Sequence, residues 1–306
     1  MGRPFAGPAH TKGTTMSRLK FAKPYLYLLP AFFFLAVFTY YPIFTAFYLS
    51  LFKWSTSYPV KVFTGFSNYR DLFATPLFWK VIKNSLIYSI STIFISMSMA
   101  LFLAIQIDKK VRLGTIYKVS LFYPTMIPMA AASLIWMWMY IPQYGLFDFF
   151  LGKVGIPSIN WLNEARIALW CIVAVGIWKY TGYYMILFLA GLQNIPKSLI
   201  DAATVAGASS RQKFVHVTFP MISSYTFFVF IINILNSLQA IDQVYIMTQG
   251  GPANSTNLIV YYIYEQAFRF WKRGVGSTLT TILILFLLIF VSLIFKSIGR
   301  RVYYEV

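Results

Sequence analysis

Seven long stretches of this chain carry no charged side chain: 25–52, 84–107, 119–147, 180–196, 217–241, 243–264 and 274–295. A helix needs about 20 apolar residues to cross a hydrocarbon core. The fourth stretch is too short alone, but joined to 167–178 across Lys179 it becomes a full crossing. The fifth and sixth meet at Asp242, and Gly250-Gly251-Pro252 then breaks helix and opens a polar loop. The pattern therefore predicts six spans at roughly 25–50, 84–107, 117–140, 168–192, 218–246 and 275–296. Lipid offers the backbone no hydrogen-bond partner, so each must be a helix, and the fold class is an all-α polytopic membrane protein.

Composition agrees. Of 306 residues, 58% are hydrophobic and 11% charged, where soluble domains run nearer 45–50% and about 25%. The net charge of +18 raises nucleic-acid binding, which the distribution excludes: the cations sit in the gaps between apolar runs and make no stripe interleaved with aromatics. Cys171 is the single cysteine, so no internal disulfide or Cys/His metal spacing is available. The two histidines, His10 and His216, stand apart, and no catalytic motif occurs. No phosphate-binding loop is present, so if the protein uses ATP, another chain binds it.

Lysine and arginine orient the bundle. With the N-terminus inside, segments 1–24, 108–118, 193–217 and 296–306 hold 15 cations, against 10 in segments 51–83, 141–166 and 247–274. The excess favours both termini in the cytoplasm. Residues 1–23 read as a disordered tail, 24–299 as the membrane domain and 300–306 as a second tail. The first run is too long for a cleaved signal segment. Met16 is an alternative start to Met1.

The segment 194–220 is the most informative connector. Pro196 suits a first helical turn, Asp201 to Ala206 propagate it, and Gly207 can turn the chain at positive φ. Ser209 or Ser210 can cap a second helix running toward Pro220. Ala202, Ala203, Ala206 and Gly207 would let another protein approach closely. An amphipathic connector packed on its own bundle has the same pattern, and both readings stand.

This segment resembles the EAA loop of ABC importer permeases in Asp201-Ala202-Ala203, Gly207, Phe214 and Phe219-Pro220, preceded by Leu192-Gln193-Asn194-Ile195-Pro196. One departure is Ala206, where the family usually has an acid. Met247-Thr248-Gln249-Gly250-Gly251-Pro252, with Thr256, Tyr264 and Phe268, and Gly65-Phe66-Ser67-Asn68-Tyr69 upstream, resemble the carbohydrate branch. The resemblance spans about 20–300. It implies the type I importer permease fold, with 194–217 as coupling loop and Asp201, Ala202, Ala203, Ala206 and Gly207 as the ATPase-coupling residues. It further implies a second permease chain of different sequence, two ATPase subunits that bind ATP and magnesium, and an extracytoplasmic solute-binding protein. The chain itself would be no enzyme and carry no cofactor, and its place would be the cytoplasmic membrane of a bacterium or archaeon.

Polar residues inside spans face an interior or a cavity. Asn233, Asn236, Ser237 and Ala240 form an i, i+3, i+4, i+7 stripe, and Tyr180 and Tyr183 stand on the preceding span. The resemblance to maltose-type carriers places sugar contacts on these six positions. Helix-to-helix hydrogen bonding is the competing reading. Lys179 and Asp242 could pair across the bundle or serve a proton relay, but their positions toward the outer helix ends favour interfacial snorkelling. The expected function is passage of a sugar or oligosaccharide, or alternatively glycerol-3-phosphate or a related polyol. A stand-alone secondary transporter or channel would need a coupling-ion site and usually shows internal repeats, and neither is found. A membrane-embedded enzyme would need clustered His, Cys or carboxylates.

Overall fold

The computed structural model describes Gly2, residues 27–109 and residues 114–297. The expected tails at 1–23 and 300–306 lie outside the described residues. Five described helices are long and apolar enough to cross a membrane, and a bent pair makes a sixth crossing if it counts as one.

The first span, α1 (Tyr27–Ser50), is exposed from residue 27 to residue 42, as a helix facing lipid should be, and mostly half-buried beyond. A π turn at Ala36–Tyr40 precedes Pro42, whose missing N–H loosens the hydrogen-bond ladder there. A small hairpin follows, β1 (Phe52–Ser55) antiparallel to β2 (Tyr58–Phe63), then α2 (Ser67–Phe73). Asn68 ties them to α1 by donating its amide to Ser50 O at 2.8 Å and Phe52 O at 3.0 Å.

The second span, α3, runs over Pro76–Asp108, starting eight residues before the expected 84. Pro76 suits a helix start. Lys80 does not end the helix, because its ammonium reaches Ala253 O at 2.6 Å.

The third span is broken. In place of one rod over 117–140, α4 (Gly114–Met126) and α5 (Met129–Met139) meet at 99°. Pro124 and Pro128 explain the break. Pro128 has no N–H to offer the Pro124 carbonyl four residues earlier, so the helical ladder cannot cross this point.

A short helix, α6 (Leu146–Lys153), leads to α7 (Ala168–Gln193), the most buried span. Its Tyr184, Met185, Phe188 and Leu189 pack with Ala100 and Ala104 of α3 and Val229 of the fifth span. The alanines, one turn apart, let α3 and α7 approach closely.

The connector forms α8 (Lys197–Val205) and α9 (Ser210–Lys213), continuing through a π turn at Phe214–Thr218. The fifth span is α10 (Ser223–Leu238) and α11 (Asp242–Met247), interrupted at 239–241. After α12 (Ile259–Tyr264) and a π turn at Glu265–Arg269 comes α13 (Arg273–Ser297), which packs on α1.

The expected polar loop at 250–258 is folded into the bundle instead. Thr256 and Asn257 are fully buried, Asn84 Nδ2 donates to Asn254 O at 2.9 Å, and Ile259 N–H donates to Ser85 Oγ at 2.9 Å. Side chains of α3 thus satisfy its backbone, which hydropathy could not reveal.

On the same end, Asp148 organises the loop before α7. It accepts from Trp161 Nε1 at 2.7 Å, Gln143 N at 2.7 Å and the Ser158 hydroxyl. The Ser158 hydroxyl, then the Gln143 N–H, hold its carboxyl below the usual carboxylate range. A depressed folded pKa means the clasp contributes fully above the unfolded value, about 3.9, and is lost as pH falls through the folded one. Peptides covering 143–161 should therefore keep their hydrogen-exchange protection from neutral pH to about pH 4 and lose it below. Asp148→Asn should lose much of it already at neutral pH, and full protection in that variant would refute the clasp.

Candidate functional site

Backbone that leaves the helix within a membrane is tolerated where it is buried in protein or lines a cavity. The two interrupted spans meet, since α5 packs on α11 just beyond the break in each. Between them lies a cavity of about 210 Å³ lined by Met129, Tyr180, Asn236, Gln239, Ala240, Ile241, Asp242 and Gln243. Met129 begins α5, and 239–243 covers the gap between α10 and α11.

The lining is held by its neighbours. Asn236 Nδ2 donates to Tyr184 Oη at 3.1 Å, and Gln243 Nε2 donates to the buried Tyr88 Oη at 2.8 Å. Tyr180 stacks on Tyr184 with ring centroids 6.1 Å apart. The lining therefore includes a phenol and three amides, and Asp242 is its sole carboxylate.

The structure splits the six expected solute residues. Tyr180, Asn236 and Ala240 come together at the cavity. Asn233 does not: its amide donates to Ser96 Oγ at 2.8 Å on α3 and is 3% exposed. Ser237 is turned back on the Ile234 carbonyl at 2.9 Å, and Tyr183 packs against Tyr184. A helix stripe spans roughly 100°, so its two edges reach different neighbours once a third helix packs between them. Met129, Gln239, Ile241 and Gln243 were missed because they depend on the breaks. The interruption of the uncharged runs at Asp242 was their one signal in the sequence.

The expectation for Lys179 is also corrected. Lys179 is 6% exposed and its ammonium donates to Pro124 O at 2.9 Å, Thr125 O at 2.8 Å and Ile127 O. It neither snorkels nor pairs with Asp242, which faces the cavity.

At the opposite end, no residue of α8 is buried, and Val205 is 90% exposed. Gly207 has φ +79°. Its N–H bonds Thr204 O at 3.0 Å and the Ala208 N–H bonds Ala203 O at 3.0 Å, a Schellman close to α8. Ser209 caps α9 reciprocally with Gln212. Lys213 Nζ donates to Thr204 Oγ1 at 3.2 Å and braces the two helices. Asp201, Ala202, Ala206 and Gly207 are exposed and Ala203 half-buried. The expected helix–turn–helix is present, with Pro196 as cap and not in the first turn.

Comparison with known proteins gives one consistent picture. Residues 17–303 match the family described as binding-protein-dependent transport system inner membrane component. A probable ABC transporter permease protein of Pyrococcus horikoshii is 30% identical over 87% of this chain and 92% of its own length. The sn-glycerol-3-phosphate transport system permease protein of Rhizobium meliloti is 31% identical, over 92% and 96%. The sulfoquinovosyl glycerol transport system permease protein of Agrobacterium fabrum is 32% identical over 84% of each. A chain of a bacterial ABC transporter involved in the import of the acidic polysaccharide alginate has the same fold. Its TM-score is 0.81 at 20% identity, over 94% of this chain and 98% of that one.

The Asn233–Ser96 bond yields a test. A double-mutant cycle of Asn233→Leu and Ser96→Ala should give a coupling of about 0.6 kcal/mol in unfolding from detergent, the usual worth of a hydrogen bond between spans. No measurable coupling would detach Asn233 from α3.

Proposed function

The chain belongs to the inner membrane components of binding-protein-dependent transport systems, and from that premise we propose which parts of it receive work and which meet the solute. It is a permease subunit of an ABC importer, a multi-pass inner-membrane protein and not an enzyme. It works with a second permease, ATPase subunits and a solute-binding protein. In our reading ATP and magnesium stay on the ATPases, the chain holds no cofactor, and the second permease is a different sequence. Both termini and 194–217 face the cytoplasm, in keeping with the cation bias.

The observation that carries the coupling assignment is the exposure of α8. A nine-residue helix with no fully buried side chain, and only Ile200 and Ala203 half-buried, gains little by packing on its own bundle. It is nevertheless closed at its C-terminal end and braced to α9. Such a rigid, unpacked element suits a docked partner. Asp201, Ala202, Ala203, Ala206 and Gly207 form the seat for the ATPase. A partner can bias a two-state bundle only by preferring one state, and a rigid lever transmits that preference.

The cavity between the broken spans is the solute site, with Tyr180, Asn236 and Ala240 in its wall. Solute sites built from discontinuous helices are a recurring solution in transporters. Amides both donate and accept, as sugar hydroxyls require. The lone carboxylate of Asp242 disfavours an anion such as glycerol-3-phosphate, so the solute is a neutral sugar or oligosaccharide.

Two substitutions test these roles. Gly207→Val forces a β-branched residue into a left-handed conformation. Uptake should fall about tenfold or more through loss of ATPase docking or uncoupled hydrolysis, and normal uptake would end the lever assignment. Asn236→Leu should change which sugars compete for uptake while the complex still assembles. An unchanged competition profile would remove α10 from the site.

A further inference from the structure

Lys179 lies within a membrane span, yet its charge meets no carboxylate. Neither of the two ion pairs among the described residues includes it. Its ammonium instead gathers the carbonyls of Pro124, Thr125 and Ile127, the groups that the break between α4 and α5 sets free. In an unbroken helix the Pro124 carbonyl would accept from residue 128, which is a proline and has no N–H. The Pro124 carbonyl also takes the Ile127 N–H, at a longer 3.3 Å, and a carbonyl in lipid that is left without a donor has no water to turn to.

The attachment is reciprocal. Thr125 Oγ1 donates to the Lys179 carbonyl at 3.1 Å, so each strand of the clasp holds the other. One turn along α7, Gly182 makes this proximity possible, because a Cβ there would overlap the Leu121 carbonyl of α4. The clasp also adjoins the cavity on both sides. Tyr180 follows Lys179 directly, and Met129 lies two residues beyond the Ile127 carbonyl.

We propose that Lys179 is a positioning residue for solute passage: its buried ammonium pins the third span in bent form and so holds Met129 at the cavity wall opposite 239–243. Without the pin, the freed carbonyls are satisfied only if the chain near the break rearranges. Such a rearrangement moves the start of α5 and changes the cavity. The consequence for transport rests on the solute-site reading given above, but the clasp itself does not.

The test uses the importer purified with its partner subunits, with Cys171→Ala removing the native thiol. Met129→Cys reports the cavity wall through its reaction rate with a water-soluble maleimide, and Val60→Cys, in the exposed hairpin, is the control. Lys179→Met should slow labelling at Met129→Cys about tenfold and leave Val60→Cys unchanged. Lys179→Arg, which keeps the charge and its donors, should restore it to within about threefold. Equal labelling at Met129→Cys with and without Lys179→Met would overturn the proposal, because generic destabilisation lowers yield and not the reactivity of one site. Should Lys179→Met fail to accumulate, Lys179→Gln, too short to reach all three carbonyls, takes its place, and an unchanged rate there would overturn the proposal equally. Labelling needs neither ATP nor solute. Failure of the solute-site reading would show as an unaltered competition profile in Asn236→Leu, with the clasp intact.

Discussion

A peptide group inside lipid has no water to turn to, and everything irregular in this bundle is arranged around that fact. Regular helix satisfies it for most of the chain. Where the chain departs from helix, a specific side chain takes over the missing partner. Lys179 serves the carbonyls at 124–127, Asn84 and Lys80 serve those of the 250–258 segment, and Asn68 serves the end of α1. Each of these polar residues is stationed beside a break in regular structure. The breaks are what create a polar cavity in a body made mostly of apolar surface.

This explains which features could be read from the sequence. The spans follow from runs of uncharged residues because crossing length is fixed by the bilayer. The 197–213 element follows from local chemistry, since Gly207 and Ser209 act through their own backbone and nearest neighbours. Its orientation came from the cation bias of the loops, and its partner from a family resemblance. The bend in the third span also had a local cause, two prolines four residues apart, yet the run was read as one helical span with no break. Proline is tolerated within membrane helices when neighbours compensate, so hydropathy alone does not separate a kink from a break.

The division of the α10 stripe was not legible, and the reason is geometric. Asn233 and Asn236 are three residues apart and share a helix face in isolation. Once α3 packs against one edge, Asn233 finds Ser96, and only Asn236 remains beside Tyr180 and Tyr184. Deciding between glue and pocket requires knowing the third helix. Lys179 was misjudged for a related reason. Its place near a helix end suggested snorkelling, but its actual partners are 52 to 55 residues away in sequence.

One continuous element joins the two proposed working parts. The cavity lies beside Tyr180, and α7 runs without interruption from there to Gln193, where it meets the start of the connector. Fourteen residues of helix separate Lys179 from Gln193, a rise of about 21 Å. At the far end, Gly191 lies against the Tyr225 ring, and Asn194 bonds the Tyr225 hydroxyl, coupling α7 to α10 just before the connector begins. A push on α8 therefore reaches a rod clamped to α10 at one end and to the broken third span at the other. Densely packed helices shift as bodies and do not deform along their length. In the proposed coupling, movement at 194–217 is thus expressed where the rod meets irregular backbone, and that junction is the clasp of Lys179 beside the cavity.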